Sequence, residues 1–142
     1  MEVHYSSKSN EWATPQNLFD ELNDEFNFTL DPCATDENAK CSKYFTIEDD
    51  GLSKDWSNEV VFMNLPYGRE IKKWIKKAYE ESLNGTTVVC LIPARTDTTY
   101  WHDFIFDKTD DIRFLRGRLK FGNSKNSAPF PSAIVVYQGV TT

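Results

Sequence analysis

Short apolar runs that end in polar residues recur along this chain, and they constrain its fold more than any other feature. Between them, the pattern alternates between strand-like and helix-like segments. Strands that alternate with helices predict an α/β fold with a mainly parallel sheet. Ligands of such sheets bind beyond the carboxyl ends of the strands. A polar residue follows each of several successive apolar runs, namely Asp31, Asp50, Asn64 and Arg95. We therefore expect these residues to form one assembled site.

Local patterns predict where the individual elements lie. A helix opens at Thr14, which can cap it, and Pro15, which suits the first helical position. Further helices are predicted at 70–83 and 99–106. Strands are predicted at 26–30, 44–47, 60–63, 86–92, 112–121 and 132–137. No helix separates the last two strands, which predicts an antiparallel pair.

The 142 residues suit a single domain spanning 1–142, in which residues 1–11 are expected to be loosely packed. No apolar run approaches the roughly 20 residues that cross a bilayer, and the first residues lack the features of a signal peptide. We therefore expect a cytoplasmic protein without a membrane partner. The 3 cysteines lack the spacing of a zinc knuckle, so we expect reduced thiols and no bound metal.

Charge is distributed unevenly along the chain. The net charge is −6, but residues 1–62 carry 14 acids and 4 bases, whereas residues 63–142 carry 8 acids and 12 bases. Basic residues cluster at 72–77 and at 113–125. Such clusters can accept a polyanion on one face, or they can simply be solvated surface. Both interpretations remain open at this point.

The tetrapeptide Asn64-Leu65-Pro66-Tyr67 is the stretch most informative about chemistry. An exocyclic amine on a purine ring is a poor nucleophile because its lone pair is delocalised. Acceptors for both amine hydrogens favour a tetrahedral nitrogen with a localised lone pair. The side-chain oxygen of Asn64 and the main-chain carbonyl of Leu65 can be these acceptors. Pro66 stiffens the turn, and the ring of Tyr67 can stack on an extruded base.

Several motifs in a fixed order extend this interpretation. They are T-P-x-x-L-F-D (14–20), L-D-P-C-A (30–34), D-G-L (50–52), F-M-N-L-P-Y-G (62–68), L-I-P-A-R-T-D-T (91–98) and G-R-L-K-F (117–121). Together they resemble the phage-type DNA adenine-N6 methyltransferases, from about residue 12 to residue 137. The resemblance implies a compact Rossmann-like methyltransferase sheet with the cofactor S-adenosylmethionine. It also implies double-stranded, adenine-containing DNA as substrate and a phage protein acting in the host cytoplasm.

The resemblance also implies which residues bind the cofactor. They are Thr14 and Pro15 at its methionine end, Asp31, Pro32 and Ala34 beside it, and Asp50 near its adenosine. Glu48 and Asp49 are alternatives to Asp50 as the acid that contacts the ribose.

On the substrate side, Asn64 to Tyr67 match the catalytic D/N-P-P-Y/F motif. Phe121 and Arg118 match the later segment that approaches the flipped base, and Tyr67 is the residue on which that base stacks. Arg95 is a candidate contact to a phosphate, with an ordinary surface ion pair as the alternative.

Two departures from the family pattern keep alternatives open. Leu65 replaces the usual first proline, and the same N-L-P-Y spelling occurs in ribosomal RNA adenine dimethyltransferases. The glycines that normally follow the acid of the first strand are absent after Asp31. An RNA adenine methyltransferase is therefore one alternative, and a catalytically idle protein that binds cofactor or nucleic acid is the other.

Overall fold

A mixed sheet lies at the centre of the computed structural model, which describes residues 13–65, 68–122 and 127–140. Within those residues the sheet has four strands, namely β1 (Val60–Asn64), β2 (Thr87–Pro93), β3 (Asp111–Phe114) and β4 (Ser132–Tyr137). Their spatial order is β1-β2-β4-β3. β1 runs parallel to β2, whereas β4 is antiparallel to both β2 and β3.

Two α-helices accompany this sheet, α1 (Gln16–Phe26) and α2 (Ile71–Leu83). A short 3-10 helix (Gly51–Ser53) precedes β1, and a π-helix (Trp101–Ile105) follows β2. In the described part of the chain, no helix has the length and apolar composition needed to cross a membrane.

Both faces of the sheet are buried, because alternating residues of the strands pack into core clusters on opposite sides. Val61 and Met63 of β1 point into the core cluster that contains Trp74 and Ile75 of α2. Phe62, between them, points to the opposite face, where it joins Phe19 of α1 in a second cluster. Because the side chains of a strand alternate between faces, this arrangement requires apolar residues at consecutive positions. The continuous apolar runs of the sequence supply them.

The sheet confirms part of the predicted topology and corrects the rest. A mixed α/β architecture and the antiparallel pairing of the last two strands are confirmed. A mainly parallel sheet is wrong, because two of the three strand pairings described here are antiparallel. In the described part of the connection from β3, residues 115–122 and 127–131, the chain forms no helix. β4 then inserts between β2 and β3.

Several predicted elements are shorter than expected. The predicted strands at 26–30 and 44–47 form only single parallel bridges, Leu30 with Val61 and Asp31 with Tyr44. The predicted strand at 112–121 ends at Phe114, since its partner β4 begins only at Ser132. The predicted helix at 99–106 contains the π-helix.

The start of α1 also differs in detail from the prediction. Pro15 is the N-cap residue itself, no side chain among the described residues caps the helix, and the helix begins at Gln16. The main-chain carbonyl of Pro15 accepts a hydrogen bond from the N–H of Phe19 at 3.1 Å. The hydroxyl of Thr14 is engaged elsewhere, by Asn64.

Gly51 allows two loops to approach closely beside the sheet. A Cβ at this position would lie 2.4 Å from the carbonyl oxygen of Pro32 and 3.0 Å from the ring of Trp74. The carbonyl of Gly51 also accepts a hydrogen bond from the indole Nε1 of Trp56 at 3.0 Å. Only a residue without a side chain fits between these groups.

We therefore predict that Gly51→Ala lowers the free energy of unfolding by about 1–3 kcal/mol, the usual cost of overpacking a filled site. Urea unfolding of the two proteins measures this difference. A midpoint unchanged by the substitution would show that the Pro32 loop and the Gly51 segment can separate at little cost.

Candidate active site

One cavity of about 630 Å3 brings together many of the predicted site residues. They come from separate segments: residues 13–14 before α1, the loop after the Leu30 bridge, the segment that leads into the 3-10 helix, and the end of β1. The predicted residues that line it are Thr14, Asp31, Pro32, Ala34, Asp50, Asn64 and Leu65. The structure thus brings Asp31, Asp50 and Asn64 together around one cavity, although Asp50 precedes a 3-10 helix and does not end a strand. Arg95 is not among the lining residues.

Asp31 is a buried carboxylate with defined hydrogen-bond donors. Its side chain is only 4% exposed. The main-chain N–H of Lys40 donates to one carboxylate oxygen at 3.0 Å, and that of Cys33 donates to the other at 3.4 Å. Burial raises the pKa of the Asp31 carboxyl from 3.8 to about 6, and the two donors offset this shift only in part. The cavity thus holds a positioned carboxylate in a site of low dielectric.

Asn64 is the last residue of β1 and is oriented by a residue far away in sequence. Its side-chain Nδ2 donates a hydrogen bond to the hydroxyl oxygen of Thr14 at 3.1 Å. Both residues line the cavity. Leu65, which follows, is buried and belongs to the same core cluster as Trp74. Its burial anchors the chain where β1 ends.

Among the three neighbouring acids, Asp50 is the one that lines the cavity. It has a left-handed backbone, with φ of 58°, and it precedes the 3-10 helix. Asp49 instead accepts hydrogen bonds from the N–H and the hydroxyl of Thr46, and Glu48 accepts one from the same hydroxyl. The geometry therefore favours Asp50 over Glu48 and Asp49 for contact with a ligand.

Other predicted residues lie outside this cavity. Pro15 lines an adjoining groove of about 430 Å3, which Thr14 shares. Phe121 is 1% exposed and contacts the ring of Phe130 inside the core, at 6.4 Å between ring centroids. The guanidinium of Arg95 lies 5.2 Å from the same Phe130 ring, and Arg118 is exposed. Pro66 and Tyr67 lie outside the described residues.

Some lining residues were missed by sequence reasoning. Lys40 donates its main-chain N–H to Asp31, and its Nζ donates to the side-chain oxygen of Gln16 at 2.8 Å. It lies in a polar stretch without periodicity, so no sequence pattern indicated it. Trp74 shows the opposite case, because its place on the apolar face of α2 predicted a core residue, and it both packs in the core and lines the cavity. Asn38, Arg69 and Glu70 also line the cavity.

Many basic residues of the two predicted clusters form ion pairs with acidic residues. Each lysine in 72–77 has a carboxylate within 4 Å, in the pairs Lys72–Asp103, Lys73–Glu70, Lys76–Glu80 and Lys77–Glu81. Arg113 forms a bidentate ion pair with Glu25, in which Nη1 and Nη2 donate to the two carboxylate oxygens at 2.7 Å each. These pairs favour the interpretation of a solvated helix face for 72–77. In the second cluster, Arg116, Arg118 and Lys120 are exposed, and Lys125 lies outside the described residues.

Comparison with known proteins assigns the chain to a family. The family model described as DNA N-6-adenine-methyltransferase (Dam) matches residues 4–136. The chain belongs to this family. Membership confirms the resemblance predicted from the ordered motifs and the predicted class of activity, adenine-specific DNA methylation.

Two phage members of the family are similar along most of the chain. The DNA N-6-adenine-methyltransferase of Haemophilus phage HP1 is 30% identical over 117 residues, which cover 80% of this chain and 67% of the phage protein. The protein of the same name from Escherichia phage T1 is 30% identical over 145 aligned positions, covering 84% of this chain and 60% of the phage protein. The chain thus spans about two thirds of the length of these relatives.

We predict a pH dependence of stability that originates at Asp31. Its pKa is about 6 in the folded chain, against an ordinary value of 3.8, so the folded state binds the proton more tightly than the unfolded state. The associated stabilisation is present at low pH and is lost as pH rises through 6, by about 2–3 kcal/mol between pH 4 and pH 7.

Urea unfolding across this range, on the parent chain and on Asp31→Asn, isolates the contribution. The free-energy difference between the two should move in favour of Asp31→Asn by that amount as pH rises. Parallel profiles would contradict a raised pKa at Asp31.

Proposed function

We propose that this chain transfers a methyl group from S-adenosylmethionine to the exocyclic N6 amine of adenine in double-stranded DNA. The observation that carries the proposal is the placement of Asn64 at the end of β1, on the same cavity as Asp31 and Asp50. Family membership supports the choice of adenine and of DNA. It favours DNA over RNA, the alternative that the spelling of Asn64-Leu65-Pro66-Tyr67 had left open.

The residues of the cavity fit S-adenosylmethionine in size and chemistry. A volume of about 630 Å3 lies within the range of about 300–1,000 Å3 that is usual for ligand pockets. Asp31 and Asp50 can accept hydrogen bonds from ammonium and ribose hydroxyl groups. Apolar side chains of Ile47, Leu52 and Trp74 also line the cavity and suit a flat heterocycle. When bound, S-adenosylmethionine supplies an electrophilic methyl group and needs no metal.

The main task of the protein in this reaction is to prepare the amine. We assign the side-chain oxygen of Asn64 and the main-chain carbonyl of Leu65 as acceptors for the two amine hydrogens. Two fixed acceptors favour the tetrahedral nitrogen of the transition state over the planar ground state. Because these groups are held by β1 and by the buried side chain of Leu65, little reorganisation is needed. The compact sheet then serves as a reduced form of the Rossmann-like methyltransferase fold.

Docking of DNA is assigned to the exposed basic residues that follow β3. Arg116, Arg118 and Lys120 are exposed and lie in a stretch without acids from 113 to 125. The side chains of Phe121 and Phe130 anchor this segment in the core, and Arg95 lies against Phe130. These cations would hold phosphates while an adenine is extruded toward Asn64 and Tyr67.

We expect Asn64→Ala to lower kcat about 100- to 1000-fold, since loss of a preorganised acceptor costs roughly 3–4 kcal/mol. Asn64→Asp should keep partial activity because it retains an acceptor oxygen. Transfer of labelled methyl groups to adenine-containing DNA measures kcat, and calorimetry measures the affinity for S-adenosylmethionine, which should change little. Asn84→Ala, an exposed asparagine just after α2, is the matched control. Turnover of folded Asn64→Ala at the parent rate would refute the acceptor mechanism.

Removing exposed cations after β3 should weaken DNA binding in a salt-dependent way. For Arg116→Ala combined with Arg118→Ala, the slope of log affinity against log salt should shrink by about 1 for each phosphate that the two arginines neutralise in the parent. The matched control is Lys73→Ala combined with Lys76→Ala, because those lysines lie beside Glu70 and Glu80. Equal slopes in both double variants would mean that the segment after β3 does not bind DNA.

A further inference from the structure

We propose that Lys40 binds the carboxylate of the methionine part of S-adenosylmethionine. The inference rests on the proposed function, which names this cofactor. It deepens that function by assigning a residue to the one negative group of the cofactor. The assignment follows from the lining of the cavity and from the contacts and charges around Lys40.

The cavity has two regions of different character. Ile47, Leu52 and Trp74 form an apolar region, because they line the cavity but not the groove of about 430 Å3 beside it. A mostly polar region lies where the cavity and the groove meet. Its residues line both spaces, and they are Ala13, Thr14, Asn38 and Lys40. The cavity is thus complementary to a ligand with a flat ring at one end and charged groups at the other.

The position of Asn64 places the charged end of the cofactor in the polar region. The methyl group, the adenosine and the amino acid chain of S-adenosylmethionine are all attached to one sulfur atom. Under the proposed function, this sulfur must lie close to Asn64. The side chains of Asn64 and Thr14 are in contact, with 3.1 Å between Nδ2 and the hydroxyl oxygen. With the adenine in the apolar region, the amino acid chain therefore extends past Thr14 toward Lys40.

Lys40 is the cation that lies at this end of the cavity. Two of the described residues that line the cavity carry a positive charge, Lys40 and Arg69. Arg69 does not line the groove, and it comes just before α2, the helix that carries Trp74 of the apolar region. Hydrogen bonds between a cation and a carboxylate are among the strong ones in proteins. A carboxylate at the polar region is therefore bound by Lys40.

Contacts of its main chain and of its side chain hold Lys40 in place. Its main-chain N–H donates to Asp31 at 3.0 Å, and its Nζ donates to the side-chain oxygen of Gln16 at 2.8 Å. The Nε2 of Gln16 donates in turn to Asp20 at 2.9 Å. An ammonium can only donate and an ionised carboxylate can only accept, so the direction of both side-chain bonds is fixed. The ammonium has three hydrogens, and the Gln16 contact uses one of them.

The charges around Lys40 suit the two charged groups of an amino acid. Within residues 13–65, 68–122 and 127–140, no carboxylate lies within 4 Å of the Lys40 Nζ. Partial burial lowers the pKa of the Lys40 ammonium, and the carboxylates of Asp31 and Asp20 oppose this shift. A bound carboxylate supplies a close negative charge to this partly buried cation. The ammonium of the same amino acid is one carbon away, where Asp31 can accept its hydrogen bond.

Decarboxylated S-adenosylmethionine provides a discriminating probe, because it differs from the cofactor only in lacking the carboxylate. Calorimetry measures the affinity of the chain for each compound, and the ratio of the two affinities measures how strongly the carboxylate is recognised. The variants are Lys40→Met and Lys40→Gln, which remove the charge, and Lys40→Arg, which keeps it. Lys43→Met is the matched control, because Lys43 is exposed, pairs with Glu59 and lines neither space. Thermal melting checks the fold of each protein.

We expect the parent to bind S-adenosylmethionine about 10- to 100-fold more tightly than its decarboxylated form, the usual range for a hydrogen bond to a charged group. Lys40→Met and Lys40→Gln should lose this preference and bind the decarboxylated form about as well as the parent does. Lys40→Arg should keep most of the preference, and Lys43→Met all of it. Equal affinity of the parent for both compounds would overturn the assignment without any variant. So would a Lys40→Met variant that binds both compounds more weakly by the same factor.

A failure of the proposed function gives a different result. If the parent binds neither compound, the cofactor and the assignment of Lys40 both fail. If the parent prefers S-adenosylmethionine but transfers no labelled methyl group to adenine in DNA, the proposed reaction fails and the assignment of Lys40 stands.

Discussion

Phe19 of α1 packs edge-on against Phe62 of β1, and this contact fixes where the start of α1 lies relative to the end of β1. The two rings belong to one of the two core clusters and are almost fully buried. Aromatic pairs in this geometry contribute about 0.5–1.5 kcal/mol beyond the burial of their area. Their larger consequence is geometric, because Thr14 and Asn64 extend from these two elements toward the same cavity. Thr14 and Asn64 thus meet at the edge of the core, where loop residues such as Asp31 and Asp50 complete the cavity lining.

The same cavity contains a buried ionisable group, the Asp31 carboxyl. Asp31 is buried, and burial raises its pKa because the charged form is poorly solvated there. The N–H groups of Cys33 and Lys40 hold the carboxylate in place without removing that cost. Carboxyls with shifted pKa values cluster at the functional sites of proteins, and this supports the proposal that Asp31 binds a ligand.

Local sequence patterns predicted the parts of the fold that depend on local physics. The apolar runs of β1, β2 and β4 and the helical stripe of α2 are all present, close to the predicted bounds. The position of β4 between β2 and β3 could not be predicted in this way, because the choice of neighbour is made by packing over long sequence distances. The segments at 26–30 and 44–47 have strand-like composition, but each finds only a single bridge partner.

The candidate site shows the same contrast between features that local sequence patterns predict and features that depend on long-range packing. Asp31 and Asn64 could be predicted to share a site because each follows an apolar run, and strand ends meet on one side of a sheet. Asp50 lines the same cavity without ending a strand. The bond between Asn64 and Thr14 spans 50 positions of sequence, and the hydrogen bond from Lys40 to Asp31 depends on the path of an irregular loop. Neither leaves a periodic signal. The sequence thus indicated candidate residues for one site, whereas their mutual contacts could be read only from the structure.

The insertion of β4 has a consequence for synthesis of the chain on the ribosome. β4 is the last of the four strands in sequence, yet it occupies an internal position and pairs with β2 along six residues. Until residues 132–137 have emerged, β2 has an unpaired apolar edge, and such edges promote association between nascent chains. Residues 115–131, which connect β3 to β4, therefore govern how soon that edge is covered.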